Sequence, residues 1–295
     1  MVKVGYLGPA GTYSHQAAQQ EFSGAELIPQ KSIGACFESM HKAEVDYAVV
    51  PFENSTNGQV VFTYDLLRDW FMKCGDSTPT PKFKVVGECF VSIHHSLIGF
   101  QPDLSKITKV YSHPQVWGQC SSFLEGLNVE RIDTSSTSRA VELVAQSPLV
   151  EQNEIAAIGS SAASKLHSVP VVVPSVEDNT SNTTRFLVLG TKDEISQTSI
   201  DVRDRITLLS FVLKHFNDMG SLSHVLDVFA RHKVNLVSIT TRPAKLLKWQ
   251  YVFFLECVTG GDASQLDPVY SELGEFTEEL RIMGWFPRSV DYAGK

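Results

Sequence analysis

The sequence predicts an α/β fold followed by a smaller βαββαβ domain, and three observations carry that prediction. Short apolar runs alternate with helix-period segments over about the first 190 residues, the pattern of sheets covered by helices. A polar stretch at residues 191–204 carries several charges and no apolar period, which marks a linker. Beyond it, strand-like and helix-like segments follow in the order β-α-β-β-α-β, that of a ferredoxin-like fold.

Taken in order, residues 2–7 are the first strand candidate. Ser14 is a good N-cap for a helix to about residue 22. Ser32 caps a second helix, whose Ile33, Phe37 and Met40 share one face. Residues 47–52 form a short apolar strand, and Leu66, Leu67, Trp70 and Phe71 define another helical face. Residues 85–93 are extended and a strand ends at 110–112. Pro114 then opens a helix with the apolar stripe Val116, Cys120, Phe123, Leu124 and Leu127. Proline suits a first turn because its missing N–H would have no partner there. A further helix passes through Val141 and Val144, and residues 155–158, 169–173 and 184–189 complete the strands of this part. After the linker come a strand at 206–213, a helix with Leu222, Val225, Leu226 and Phe229 on one face, and strands at 235–241 and 249–258. Residues 266–283 are expected to be mostly helical, with a last strand at 285–290. Such a small domain exposes sheet edges and one sheet face, so pairing with a second copy is expected.

Composition excludes several classes of function. A formal net charge of −8 and no basic cluster interleaved with aromatics argue against nucleic-acid binding. The five cysteines, Cys36, Cys74, Cys89, Cys120 and Cys257, are odd in number, widely spaced and set among apolar residues. That suits reduced thiols in a cytoplasmic protein better than a disulfide framework. The start of the chain lacks the charged segment and long apolar run of a secretion signal. No apolar stretch is long enough to span a bilayer.

The polar motifs sit where strands end and helices begin. Gly5, Gly8 and Gly11 are spaced G-x-x-G-x-x-G rather than as a dinucleotide fingerprint, so a nicotinamide site is rejected. What remains is a glycine-rich turn feeding a helix at Thr12 and Ser14, either a capped tight turn or a place for an anion such as a carboxylate. Pro51-Phe52-Glu53-Asn54-Ser55-Thr56-Asn57-Gly58 leaves the end of an apolar strand, where ligands of open α/β sheets bind. Ser112-His113-Pro114-Gln115 repeats the arrangement, and Gln119 shares the face of Gln115 one helical turn on. Asn182-Thr183-Thr184-Arg185-Phe186 enters an apolar strand. The planar fork of Arg185 suits a carboxylate bidentately, or an ion pair with Glu177 or Asp178. His94 and His95, adjacent in an extended stretch, point to opposite faces and do not chelate one metal simply. Cys120, on the apolar stripe of its helix, reads as a buried thiol rather than a nucleophile. No metal-ligand spacing, phosphate loop or nucleophile elbow is present, so no metal is expected and hydrogen bonds and charge are left as the means of action.

These motifs in this order resemble the prephenate dehydratases over nearly all of residues 1–290: Gly8-Pro9-Ala10-Gly11-Thr12-Tyr13-Ser14-His15-Gln16-Ala17, then Pro51-Phe52-Glu53-Asn54-Ser55, then Ser112-His113-Pro114-Gln115 with Gln119-Cys120, then Asn182 with Thr184-Arg185-Phe186. The resemblance implies a two-lobed, periplasmic-binding-protein-like catalytic domain at 1–190, with lobe one at about 1–90 and 184–190 and lobe two at about 91–178. It implies conversion of prephenate to phenylpyruvate with loss of carbon dioxide and water, without a cofactor. Thr184 would be the catalytic residue. Asn54, Ser55, Ser112, Gln115 and Gln119 would orient the substrate, Arg185 would take a carboxylate and Phe186 would line the ring.

Gly220-Ser221-Leu222 and Thr240-Thr241-Arg242-Pro243 resemble the two signatures of an ACT domain, here at 205–290. They depart from the usual Gly-Ala-Leu and Glu-Ser-Arg-Pro, and Met219 replaces the usual proline before the glycine. The resemblance implies phenylalanine as effector, bound by Gly220, Ser221, Leu222, Asn235, Leu236 and Arg242, in a homodimer or homotetramer. Two alternatives stay open. An arogenate dehydratase would meet an ammonium group, which an acid such as Glu53 could serve. A non-catalytic sensor would only report aromatic amino acids.

Overall fold

The computed structural model describes residues 1–72, 81–191, 205–260 and 263–289. In chain order the first elements are β1 (Lys3–Leu7), α1 (Tyr13–Glu21), β2 (Glu26–Gln30), α2 (Ile33–His41), β3 (Tyr47–Asn54), β4 (Gly58–Gln59), α3 (Val61–Phe71) and β5 (Lys84–Ser92). There follow β6 (Ser96–Ile98), β7 (Lys109–Ser112), α4 (Pro114–Gln119), α5 (Ser121–Glu125), β8 (Glu130–Asp133), α6 (Thr137–Gln146), β9 (Ile155–Gly159), α7 (Ser161–His167), β10 (Val171–Val173) and β11 (Thr183–Gly190). The last are β12 (Arg205–Leu213), α8 (Ser221–Arg231), β13 (Asn235–Pro243), β14 (Tyr251–Thr259), α9 (Asp267–Phe276) and β15 (Thr277–Pro287). The α/β class is the expected one. Chain contacts divide it into one unit of Met1–Cys36, Glu53–Gln59 and Phe90–Phe186, and another of Phe37–Phe52, Val60–Cys89 and Leu187–Lys295. The linker expected at 191–204 lies, apart from Thr191, outside the described residues, as does Cys74.

In the first unit β1 and β2 pair in parallel. A second sheet runs β10-β6-β9-β7-β8. Its strands send alternate side chains to opposite faces, and each face is buried by a helix pair. Leu97, Val110, Ala156 and Ile158 pack with Val116, Cys120 and Leu124 of α4 and α5. Ile98, Ile155 and Ala157 pack with Ala140, Val141 and Val144 of α6 and Ala163 of α7. The helix expected from Pro114 begins as read, with His113 as N-cap, but breaks at Cys120. The cause lies far along the chain: the Asp178 carboxylate accepts from Ser121 N, Ser121 Oγ and Ser122 N at 2.6–3.1 Å and starts a new helix there. The first helix also starts earlier than expected, since Thr12, not Ser14, caps it and accepts from His15 N.

In the second unit the strand order includes β13-β14-β12-β15-β5-β11-β3. The first four strands are antiparallel neighbours joined as βαββαβ, the expected ferredoxin-like arrangement. Leu209, Phe211, Leu213, Leu255 and Cys257 face α8 and α9. The expectation of an open sheet face needs correction: all nine residues of β12 are buried. On that side Tyr64 of α3 stands edge-on to Phe254 at 5.3 Å and stacks on Phe52 at 4.5 Å. The C-terminal boundary also differs from the reading. Helix α9 ends at Phe276, and residues expected to stay helical form β15, paired along β12. Lys214, at the end of β12, takes the terminal carbonyls of α9: its N–H donates to Phe276 O and its ammonium to Gly274 O and Glu275 O. Gly284 lets β15 come close to β5, because a Cβ there would run into the Val85 carbonyl. Among the described residues no helix is long and apolar enough to cross a membrane.

Candidate active site

The hydroxyl of Thr184 is set by a clamp built on Asn54. The chain turns between β3 and β4 so that Asn54 Oδ1 accepts from Thr56 N at 3.0 Å and Asn57 N at 2.9 Å. Backbone N–H groups only donate, so the amide has one orientation and Nδ2 faces the start of β11. There it donates to Asn182 Oδ1 at 2.8 Å and Thr184 Oγ1 at 2.9 Å, with Thr183 O at 3.3 Å. Ser55 adds a reciprocal pair: its N–H donates to Thr183 O and its Oγ accepts from Thr183 N. Thr184 Oγ1 therefore receives a hydrogen bond and keeps its own hydrogen for another acceptor.

A second cluster lies beside the residues that lead from β5 and back into β11. Glu177, whose side chain is buried, accepts from His95 N at 2.9 Å and contacts His94 Nδ1 at 2.8 Å. Burial pushes the Glu177 carboxyl up, but the bonds from His94 and the backbone outweigh it and hold the group below its ordinary value. His94 is half-exposed and His95 is 2% exposed, so the two rings do point apart. The His95 ring lies between Gln119 Oε1, 2.8 Å from Nε2, and the Tyr13 hydroxyl, 3.1 Å from Nδ1. Burial lowers the pKa of His95 against its hydrogen bond to Gln119 and the charge of Glu177. Burial, then the Glu177 charge, raises that of Tyr13. Cys120 is fully buried, and its thiol is pushed up to about 12 by burial, so it is not a nucleophile. Among the described residues no group of three His, Cys, Asp or Glu side chains is placed to hold a metal ion.

The glycine-rich turn is a docked structural turn. Gly8 and Gly11 have φ of 87° and 82°, the left-handed region that glycine reaches without strain. Ser138 Oγ donates to Ala10 O at 2.6 Å and Ser160 Oγ to Gly11 O at 3.1 Å. A Cβ on Gly11 would stand 2.7 Å from Ser138 Oγ.

The structure thus brings together Asn54, Ser55 and Thr184, and separately Gln119 with its partners. Gln115 is exposed on the first turn of α4. Ser112 is fully buried, and its hydroxyl is given to Ile158 O at 2.7 Å, which makes it a support of the sheet rather than a substrate contact. Phe186 is fully buried in the core. Arg185 is buried as well, and strand alternation sets it on the face opposite Thr184. Glu177 and Asp178, weighed as its partners, are engaged by His94, His95, Ser121 and Ser122. The reading assigned no role to Asn182, Tyr13 or His95. Only the buried placement of polar residues reveals them, and no local pattern does.

In the C-terminal part a cavity of about 490 Å³ is lined by Leu213, Phe216, Gly220, Ser221, Leu222 and Phe253 among others. Asn235, Leu236 and Arg242 are not in its lining. Asn235 is exposed and Leu236 packs against the core of α8 and α9. The Arg242 guanidinium instead grips Asp65 of α3 with two bonds, at 2.8 and 3.1 Å. Arg68, 2% exposed, joins Asp65, Asp69 and the Pro243 carbonyl, and Lys245 closes on Asp69.

Fold and polar groups together define an α/β protein with two polar side-chain clusters and a ferredoxin-like domain at its C-terminal end. Residues 4–194 match the family model described as prephenate dehydratase. The chain is 36% identical to the probable prephenate dehydratase of Saccharomyces cerevisiae, over 100% of this chain and 98% of that one. It is therefore a member of the prephenate dehydratase family of hydro-lyases. Among solved structures, the prephenate dehydratase of Arthrobacter aurescens in complex with L-Phe is similar at a TM-score of 0.80 and 25% identity, over 97% of this chain and 90% of that one. A structure described as a novel type of quorum quenching acylase is similar at the same TM-score and identity, over 99% and 100%.

Proposed function

We propose that this protein converts prephenate to phenylpyruvate, that Thr184 assists departure of the ring hydroxyl, and that phenylalanine binding in the C-terminal cavity regulates the reaction. The observation that carries the catalytic part is the clamp on Thr184. In the reaction the bond from ring carbon to carboxylate breaks, its electron pair enters the ring, and the hydroxyl at the opposite carbon leaves with one added proton as water. Aromatisation drives the step, so the protein has to hold two carboxylates and meet the departing oxygen with a hydrogen. Threonine is a poor acid by its own pKa. A hydroxyl whose oxygen already accepts from Asn54 Nδ2 is polarised to donate, and it serves as a hydrogen-bond donor or relay. The same geometry disfavours acyl cleavage by Thr184, because Asn54 gives it a proton contact where a nucleophile needs a base.

Asn54 acts on Thr184 rather than on the substrate, since its amide is fully engaged. Ser55, Gln115 and Gln119 are the groups assigned to the substrate, and Arg185, buried on the face opposite Thr184, is left out of that set. In the C-terminal cavity the first turn of α8 offers N–H groups for a carboxylate, and Leu213, Phe216, Leu222 and Phe253 offer walls for a phenyl ring. Arg242 is left out of that binding set because Asp65 holds it. Edge strand β13 carries the exposed Ile239 and suits self-association, which sedimentation of the purified chain would test.

The deciding assay is phenylpyruvate formation from prephenate without added cofactor. Wild type turns over, and Thr184→Val loses about 10²- to 10⁴-fold in kcat while Thr184→Ser retains most of it. A folded wild type that acts only on the amino-acid analogue would assign the chain to arogenate. One that acts on neither would leave a sensor.

A further inference from the structure

The ring of His95 stands in a chain of three contacts, and counting their protons fixes which end of the Gln119 amide meets the ring. Tyr13 Oη lies 2.7 Å from His94 O and 3.1 Å from His95 Nδ1, and His95 Nε2 lies 2.8 Å from Gln119 Oε1. A phenol has one proton. The carbonyl of His94 cannot donate, so at 2.7 Å the proton lies on that contact. The Tyr13 oxygen then needs a donor on its other side, and only Nδ1–H can be that donor. A neutral ring protonated at Nδ1 has a lone pair at Nε2. Gln119 Oε1 at that position would set acceptor against acceptor, and since the two ends of an amide are told apart only by their partners, the amide is turned to put its NH2 end at the ring. The opposite tautomer leaves Tyr13 with two acceptors and one proton.

We infer that His95 is a positioning residue: held as the Nδ1–H tautomer by Tyr13, it accepts from Gln119 Nε2 and turns the Gln119 carbonyl oxygen toward the substrate. Gln119 thus presents an acceptor, suited to a hydroxyl or other donor of the substrate and unsuited to a carboxylate. This rests on the assignment of Gln119 to the substrate in the proposed reaction. Among the described residues the groups that act on the ring are Tyr13 from α1, Gln119 at the end of α4, the neighbouring His94, and Glu177, which holds the His95 N–H. Placing a second proton on the ring at Nε2 reverses the Gln119 amide, so the device fails on the acid side. Burial sets that event below the ordinary 6.5.

Imidazole 15N shifts of protein labelled at histidine, assigned by comparison with His95→Gln, decide the matter on the intact chain. Nδ1–H on His95 at neutral pH is expected, and Nε2–H would overturn the inference. Tyr13→Phe removes the acceptor at Nδ1, so the ring is expected to move to Nε2–H and kcat/KM to fall roughly tenfold, the worth of one misdirected hydrogen bond. In that variant the acid limb of the pH–rate profile flattens, because its neutral ring already holds the amide reversed. Unchanged kcat/KM with the tautomer moved would also overturn the positioning role. The spectrum does not depend on turnover. A wild type inactive on prephenate but Nδ1-protonated at His95 would refute the proposed reaction and leave the proton arrangement standing.

Discussion

Thr184 depends on one atom of one neighbour, and that dependence can be reversed without changing shape. Asn54→Asp keeps the volume and the acceptor side that meets Thr56 and Asn57. It replaces the donor on Thr184 by an acceptor. The threonine hydrogen then turns toward the carboxylate and away from the substrate. Steady-state kinetics should show kcat falling toward that of Thr184→Val, with KM changed far less, as befits an interaction made only in the transition state. Glu177 allows a second test, by pH. Its carboxyl is held below its ordinary value in the folded protein. The stability it contributes is therefore present above the unfolded value of 4.5 and is lost as pH falls through the folded one. Glu177→Gln should cost about 1.5–3 kcal/mol near neutral pH, the range for hydrogen bonds to a charged group. Denaturant melts should show the variant losing less further stability than wild type between about pH 7 and pH 3. Thr184, Asn54 and Gln119 were legible because each sits at an end of a strand or a helix. His95, Tyr13 and Asn182 were not, because their partners are 24 to 128 residues away.

At the scale of elements, local patterns succeeded wherever one helix meets one sheet face and failed where a distant residue intervenes. The stripe from Val116 to Leu124 is buried as read, yet the helix breaks under it because Asp178 supplies a new cap. Residues 277–283 carry enough charge to look helical, but the open edge of β12 recruits them as a strand once Lys214 has closed α9. Helix α3 shows the same thing. Of its expected face Leu66, Leu67, Trp70 and Phe71 only Leu67 is buried, with Thr63, Tyr64 and Arg68 beside it, and Asp65, Arg68 and Asp69 gave no sign that they would bind Arg242, Pro243 and Lys245. Arg68 is 2% exposed and relies on two aspartates, so removing one leaves a buried cation short of charge. Asp65→Asn is expected to cost about 2–3 kcal/mol through the weakened bonds of Arg242 and Arg68. Lys42→Ala, in an exposed pair at 3.8 Å, should cost under about 1 kcal/mol. Equal losses in thermal unfolding would show that the Arg242 pair is no more than a surface contact.

For the molecule as a whole, the proposed effector cavity and the proposed catalytic clamp belong to different compact units, so regulation has to appear as a coupling free energy between two binding events. Phenylalanine that binds the folded chain alone raises its stability by RT ln(1 + [L]/Kd), about 2.7 kcal/mol at a hundredfold excess over Kd. A rise in the thermal midpoint abolished by Leu222→Arg, which fills the cavity with charge, would place the ligand there. Occupancy by itself moves nothing at the other site. An effector shifts an equilibrium only by its difference in affinity for the two states. Thr184→Val makes that difference measurable, because it is expected to bind prephenate and to consume it at least about a hundredfold more slowly. If phenylalanine weakens prephenate binding by some factor, prephenate has to weaken phenylalanine binding by the same factor. Calorimetric titrations of the variant in both orders should return equal factors, of roughly 5- to 150-fold. Factors of one in both orders would mean that the cavity holds the amino acid without regulating the clamp, and the substitution of Thr240 and Thr241 for the usual Glu-Ser would be the first place to look for the lost coupling.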